Sequence, residues 1–498
     1  MDKSCVLGVD LGTSSVKIAV FSMELECTFI TKEPYNKTGD TPTADEWWAS
    51  FLRTLGNVSQ HCPLGYVSAV SFAGYNALVG VDENLDAVTP VVTYYNNEPL
   101  QYIKTRYGSG DARFVFLKSG NPLFSNGLTA PQLVWLQRDR QMYLRCRKFL
   151  YSSGFIAARL TGRCVVDRTR ASQSLLINPF CDTTRWNDEL CGFFHVEQTK
   201  LPEILEPWDI AGGVTGQASR ITGLKEGVPV VIGAVDSTCA AFGAGLCRPG
   251  RLLDIGGSAG GLLSLSDRAS PIEDVITTSY LLPGLWVRSG ALSAASRLFL
   301  WFIRNMAPQW DYKEFIRRVG RAEPFCGGLQ FLPYVSGARH PYYSPNTKGH
   351  FVNLAMEHTI DDMARAVVEG VALAYKLVLQ DIRLRDGPPG EIVTVGGDSQ
   401  DLIWRQIKSD VLQMPYAVPE VFESSAFGAA VLGARAIGLA DDLTGFIEKK
   451  VRIVDKTLPN PELKRGYNEK FREFVRLCNA LYAEENGRYL KVSPENLS

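Results

Sequence analysis

At 498 residues the chain is longer than one hydrophobic core organises, so two large domains are expected. It is 45% hydrophobic and 21% charged with a net charge of −1; this mixed globular composition excludes an electrostatic footprint for nucleic acid or a membrane surface and leaves a small molecule as the expected partner. Eleven scattered cysteines without a C-x-x-C pair, no basic leader and no apolar run of about 20 residues point to a soluble cytoplasmic chain with reduced thiols, without disulfide frame, metal cage or membrane span.

The chain opens on residues 6–21, V-L-G-V-D-L-G-T-S-S-V-K-I-A-V-F, two alternating apolar runs joined by a Gly-Thr-Ser turn, which is the pattern of a β-hairpin carrying one carboxylate, Asp10. Residues 67–72, 77–81 and 88–95 read as further strands extending the same mixed sheet. From Thr129 the pattern turns helical through Trp135 and Leu136, and residues 155–160 form a second helix stopped by Thr161-Gly162. Residues 228–235 are a short β-branched run suited to a strand buried on both faces. Pro249-Gly250 marks a hinge, dividing the chain into domains at 1–247 and 248–498.

Residues 252–263, L-L-D-I-G-G-S-A-G-G-L-L, then repeat the opening hairpin, Asp254-x-Gly256-Gly257 echoing Asp10-x-Gly12-Thr13. Further on, Asp361 can cap a helix whose Met363, Ala366, Val367, Gly370, Val371, Ala374 and Leu377 share the face expected to pack on the second sheet. A strand at 391–395, a turn at Gly396-Gly397 and a helix at 402–412 follow, then a helix at 426–437 so rich in Ala and Gly that something is expected to approach it closely. Tyr467, Phe471, Phe474, Leu477 and Leu481 form a docking face in the tail.

Two segments carry chemistry. In the first hairpin the amides of Gly12, Thr13 and Ser14 can point at phosphate oxygens, and Asp10 can hold a hydrated Mg²⁺; an ordinary hairpin would also place Asp and Gly at its turn. Lys17 alternates outward, toward a solvated face. In the second, Asp236 stands at the carboxyl end of the 228–235 strand, where ligands of open α/β sheets bind, and can accept the proton of an attacking hydroxyl. Capping the following helix is the simpler role, but a cap does not account for the run of Gly and Ala behind it. Asp254 occupies the place of Asp10 in the repeat, although two uncompensated carboxylates would repel, which disfavours it as a second metal ligand. The five histidines lack ligand spacing.

Together with T-V-G-G-D-S-Q-D-L-I-W-R-Q-I-K-S-D at 394–410, E-S-S-A-F-G-A-A-V-L-G at 423–433, L-T-G-R-C-V-V-D-R-T-R-A-S at 160–172 and F-L-P-Y-V-S-G-A-R-H-P at 331–341, these segments closely resemble the FGGY carbohydrate kinase family over nearly the whole chain. The resemblance implies an α/β fold of two actin-like, ribonuclease-H-like domains around a cleft, ATP with Mg²⁺ as cofactors, and γ-phosphoryl transfer to a sugar or polyol hydroxyl, in a xylulokinase-like manner. By the same resemblance Asp10 is the metal and phosphate carboxylate and Asp236 the catalytic base, with Ser237 beside it at the substrate.

Gly256, Gly257 and Ser258 align with a turn that usually reads Gly-Thr-Ser, so the grip on the outer phosphates loses one hydroxyl here. Gly396, Gly397 and Asp398 match the adenosine turn, and Ala429 and Ala430 the small helix face near it. On the sugar side, Tyr75, Asn76 and Asn96 stand where relatives carry Gln-Met-His or Gln-Arg-Glu and Trp-x-Asp-x-Arg segments. Neutral amides and phenols there favour a neutral polyol or ketose over a sugar acid. A homodimer stays open, as do a nucleotide-dependent regulatory protein of the same fold and, less favoured, an actin or chaperone relative.

Overall fold

The computed structural model describes residues 4–36, 41–125, 127–257, 259–271, 275–344, 346–421 and 423–492, with the backbone alone described for Leu384, Arg385, Asp398 and Glu485. The opening hairpin pairs the strand Cys5–Leu11 with Ser15–Ser22 in antiparallel register, Asp10 opposite Lys17, and Cys5–Leu11 also runs parallel to Val67–Gly74. Val6, Leu7, Val9 and Leu11 are all fully buried, so this strand is covered on both faces. The predicted strand at 228–235 is Pro229–Val235, parallel to Val67–Gly74 in a six-stranded sheet.

The second half repeats this plan in a seven-stranded sheet. Arg251–Ile255 pairs antiparallel with Gly260–Ser266 and parallel with Glu391–Val395, which in turn runs parallel to Tyr416–Pro419. The echo between the two Asp-x-Gly words is therefore an echo in three dimensions.

Three local expectations are corrected. Ala77–Val81 leaves the first sheet and joins Val92–Thr93 and Lys148–Tyr151 in a separate three-stranded sheet. The predicted strand at 88–95 shrinks to Val92–Thr93, because the amides of Val88 and Thr89 both bond the Gly80 carbonyl and Pro90 has no amide to offer a ladder. The helix Ile360–Asp386 is capped by Thr359 in a capping box with Asp362, while Asp361 lies in the first turn and pairs with Arg318.

The helix rich in Ala and Gly, Ser424–Ala436, explains how the halves join. It lies on the first sheet and on the helix Asp236–Gly243: a Cβ on Gly8 would stand 2.1 Å from the Ala426 carbonyl oxygen, and one on Gly428 2.2 Å from that of Cys239. Small residues are required wherever backbones approach this closely. Among the described residues no helix is long and apolar enough to cross a membrane.

Candidate active site

Asp10 stands near the carboxyl end of its strand, and the turn after it is fixed from behind: the Gly12 amide bonds the Ser15 carbonyl at 3.1 Å, the Tyr35 hydroxyl donates to the Gly12 carbonyl at 3.0 Å, and the Tyr35 amide donates to that of Ser14 at 3.0 Å. Gly12 has no left-handed backbone angle, and a Cβ there would meet only the Ser15 oxygen at 3.5 Å. Its amide and carbonyl are both engaged inside the turn, so neither the tight-turn conformation nor the free phosphate-facing amide expected of this glycine is found. Thr13 and Ser14 form a partly to fully exposed rim beside it.

Burial is the main influence on the Asp10 carboxyl, pushing it up to about 7; nearby Lys17 lowers it, whereas Asp236 and Glu423 raise it further. Asp236 is likewise raised, first by burial, against the pull of Arg170 and of the Ser237 amide. Asp236, far away along the chain, is thus close enough to raise the Asp10 carboxyl. Lys17 is not on a solvated face: its ammonium lies 3.8 Å from the Asp10 carboxylate and pairs with Glu423 from the other half of the chain.

Asp236 opens its helix directly after the strand Pro229–Val235 and accepts the Ser237 amide at 2.7 Å, so it serves its helix N-terminus and still lines a cavity of about 260 Å³ between the lobes. Arg170 shares that cavity. The short helix Arg168–Ala171, capped by Asp167, positions it; its guanidinium donates to Gln173 Oε1 at 2.6 Å and to the Gly74 carbonyl. The wall from the other lobe includes Ala259, Gly260, Gly261, Ser289 and Arg339.

Of the residues assigned to substrate, Asn76, Asp236 and Ser237 line this cavity. Asn76 donates to the Gly127 carbonyl, and its buried Oδ1 has no partner. Tyr75 and Asn96 do not line it. Tyr75 is 2% exposed in the core, where its hydroxyl accepts from Trp47 Nε1 at 3.1 Å, and Asn96 Oδ1 accepts the Glu98 amide at 2.9 Å to begin the helix Glu98–Lys104. Tyr94 takes the place by the cavity instead, its hydroxyl donating to that of Tyr95 at 2.6 Å.

On the other lobe the two glycine turns are stacked. The Gly256 amide bonds the Val395 carbonyl at 3.1 Å, and Gly396, at φ +84°, has no room for a Cβ, which would lie 2.6 Å from the Gly256 oxygen. The Ser296 hydroxyl donates to the Gly257 carbonyl at 2.6 Å, holding the turn open. Gly397 borders an open groove of about 720 Å³ walled by Ser296, Leu300, Ile316 and Ile403. Ser258 and the side chain of Asp398 lie outside what the structure describes; the Asp398 backbone belongs to the turn Gly397–Gln400. Ala429 and Ala430 are fully buried between the lobes, not beside this groove, because their face is consumed by packing on the first sheet. Asp254 is also withdrawn: it is completely buried and ion-paired with Lys408.

A metal ion fits Asp10, a buried carboxylate whose charge is offset only by a lysine already shared with Glu423. Among the described residues no cluster of three or more His, Cys, Asp or Glu forms a cage.

Residues 5–243 match the N-terminal domain of the FGGY family of carbohydrate kinases, and residues 255–437 match its C-terminal domain. The chain belongs to the FGGY family of carbohydrate kinases. It is 25% identical over 504 residues to a gluconokinase of Bacillus licheniformis, spanning 97% of both chains. It is 22% identical over 475 residues to a xylulose kinase of Staphylococcus xylosus, spanning 94% of this chain and 98% of that one. The fold matches that of a ligand-bound xylulose kinase from Lactobacillus acidophilus with a TM-score of 0.89, over 98% of this chain and 100% of the other, at 21% identity. The enzyme is a carbohydrate kinase, and kinases of this family use ATP.

Arg170, Gln173, Lys17, Glu423 and Arg339 are the site residues that sequence reasoning passed over. Arg170 and Arg339 lie inside quoted family segments, R-T-R-A-S and S-G-A-R-H-P, but nothing local in either segment marks the arginine as facing a cavity.

Proposed function

We propose that this carbohydrate kinase transfers the γ-phosphoryl group of ATP, bound with Mg²⁺, to a hydroxyl of a small sugar or polyol in the cavity between the lobes, with Asp236 as catalytic base. The observation that carries this reading is the position of Asp236 at a strand end lining the interlobe cavity, close enough to the strand end bearing Asp10 to raise the Asp10 carboxyl. Asp236, raised by burial against the pull of Arg170, is a carboxylate of enhanced basicity beside the substrate volume. The partly to fully exposed turn at Thr13 and Ser14 and the turn at Gly256-Gly257 are the backbone we assign to the phosphates, and Gly397 borders the groove we assign to adenosine. Bound at Asp10, Mg²⁺ would neutralise charge on the phosphates. The relatives' names, gluconokinase and xylulose kinase, bracket the acceptor as a sugar acid or a ketose. The absence of a membrane-crossing helix among the described residues is compatible with a cytoplasmic location.

Asp236→Asn tests the assignment. Removing a general base costs ~10²–10⁴-fold in turnover, so sugar-dependent ADP release is expected to fall by that factor, with the acid limb of the pH–rate profile abolished. A variant with native turnover and an unchanged acid limb would refute the role of Asp236.

A further inference from the structure

We propose that Cys5 and Cys62 form a reversible redox-modification site: hydrogen peroxide closes the two thiols into a disulfide that ties together the starts of two neighbouring core strands. The chain path brings the pair together. The strand Cys5–Leu11 runs parallel to Val67–Gly74, with Cys5 opposite Val67. Between the helix Ala44–Ser59 and that second strand the chain passes through Cys62, whose amide bonds the Val58 carbonyl at 2.8 Å, and then through the short turn Leu64–Tyr66. Cys62 Sγ thereby comes to lie 3.5 Å from Cys5 Sγ. Among the described residues no other two cysteines stand within hydrogen-bond distance of each other.

The surroundings of the two thiols set the order of the chemistry. Cys5 is 4% exposed, and burial, with the bond to Cys62 second, pushes its thiol up to about 12, so it is not the first to react. Cys62 is half-buried and is the sulfur a small oxidant reaches. Its sulfur attacks the peroxide O–O bond, giving a sulfenic acid, and the thiol proton leaves with the second oxygen as water. The Cys5 sulfur then attacks the Cys62 sulfur; the S–O bond breaks, and the departing hydroxide takes the Cys5 proton as a second water. Two thiols are oxidised to one disulfide and one peroxide is reduced to two waters. The sulfurs must approach by about 1.5 Å to reach an ordinary S–S bond, which rotation about the two Cα–Cβ bonds supplies. A thiol held this close intercepts the sulfenic acid before further oxidation. Asp10 lies about 17 Å further along the strand from Cys5, so the staple reinforces the first core without touching the candidate site.

Native protein and Cys62→Ser are treated with hydrogen peroxide, alkylated with iodoacetamide and digested without reductant for mass spectrometry, with melting followed before and after treatment. The native chain is expected to yield a linked peptide pair containing Cys5 and Cys62 and to fall from eleven titratable thiols to nine. Its melting temperature should rise by about 4 °C, because the link restricts the unfolded chain, and dithiothreitol should reverse all three changes. Cys62→Ser should show neither a link at Cys5 nor the rise. Cys62 accumulating as sulfinic acid beside a free Cys5 overturns the inference, as does a link that forms instead at the exposed Cys27 or Cys181. A melting temperature unmoved by the Cys5–Cys62 link, or raised equally in Cys62→Ser, also overturns it. None of these readouts depends on phosphoryl transfer.

Discussion

The two hairpins occupy equivalent places in two like sheets, but their carboxylates have opposite surroundings. Asp10 lies at the crevice, sharing Lys17 with Glu423 and sensing Asp236. Asp254 is sealed in the second lobe against Lys408, whose ammonium also lies 4.9 Å from the Trp404 ring centroid and 5.1 Å from that of Tyr416. Repetition of a fold reproduces backbone geometry, whereas the role of an acid depends on which partners the surrounding elements deliver. One carboxylate is partly exposed beside the other half of the chain, and the other is sealed inside its own.

The contrast can be broken most forcefully at Lys408. Lys408→Met leaves Asp254 buried and unpaired and is expected to destabilise the fold by ~3–5 kcal/mol, with Lys408→Met/Asp254→Leu recovering much of the loss, as read by urea denaturation. An equally stable single variant would mean the pair contributes nothing.

Asp10→Asn should behave in the opposite way. In the folded chain the Asp10 carboxyl keeps its proton up to about 7, against an ordinary value of 3.8, so the folded state binds the extra proton between those values and loses stability as pH rises through them. Asparagine carries no such penalty. The variant is expected to be more stable than the native chain by ~2–4 kcal/mol at pH 8 and equal to it below pH 4, while turnover falls sharply. Melting curves across pH that run parallel would contradict the assigned burial.

The smallest effect separates the glycines of the two turns. Gly12→Ala meets only an ordinary contact and should leave the melting temperature within about 1 °C while raising KM for ATP, since a methyl would narrow the turn proposed to receive the phosphates. Gly396→Ala, strained in φ and in collision with the Gly256 oxygen, should cost ~1–3 kcal/mol in stability. Equal thermal responses would erase the distinction.

Much of the architecture was legible because it is written locally. The alternation around Asp10, its echo at Asp254 and the β-branched run ending at Asp236 each encode a strand and its terminus, and the family segments extend these to the whole chain. The misreadings have local causes too: Pro90 interrupts a run whose side chains look strand-like, and Tyr75 is aromatic at a place where core and cavity walls have the same composition. What stayed hidden is the site's charge arrangement. Lys17 meets Glu423 across 406 residues, and Arg339 reaches a cavity whose Asp236 lies on the other lobe, so neither contact leaves a spacing to read. Ala429 and Ala430 were misplaced for a related reason: smallness shows that something comes near, but not what.

The seating of Ser424–Ala436 on the first sheet has a consequence for synthesis. During translation the amino-terminal strands are complete long before the segment that covers one of their faces leaves the ribosome, so that face waits uncovered through most of elongation. The halves of this kinase are therefore not separate folding units, and the last third of the polypeptide is needed to finish a core begun by the first.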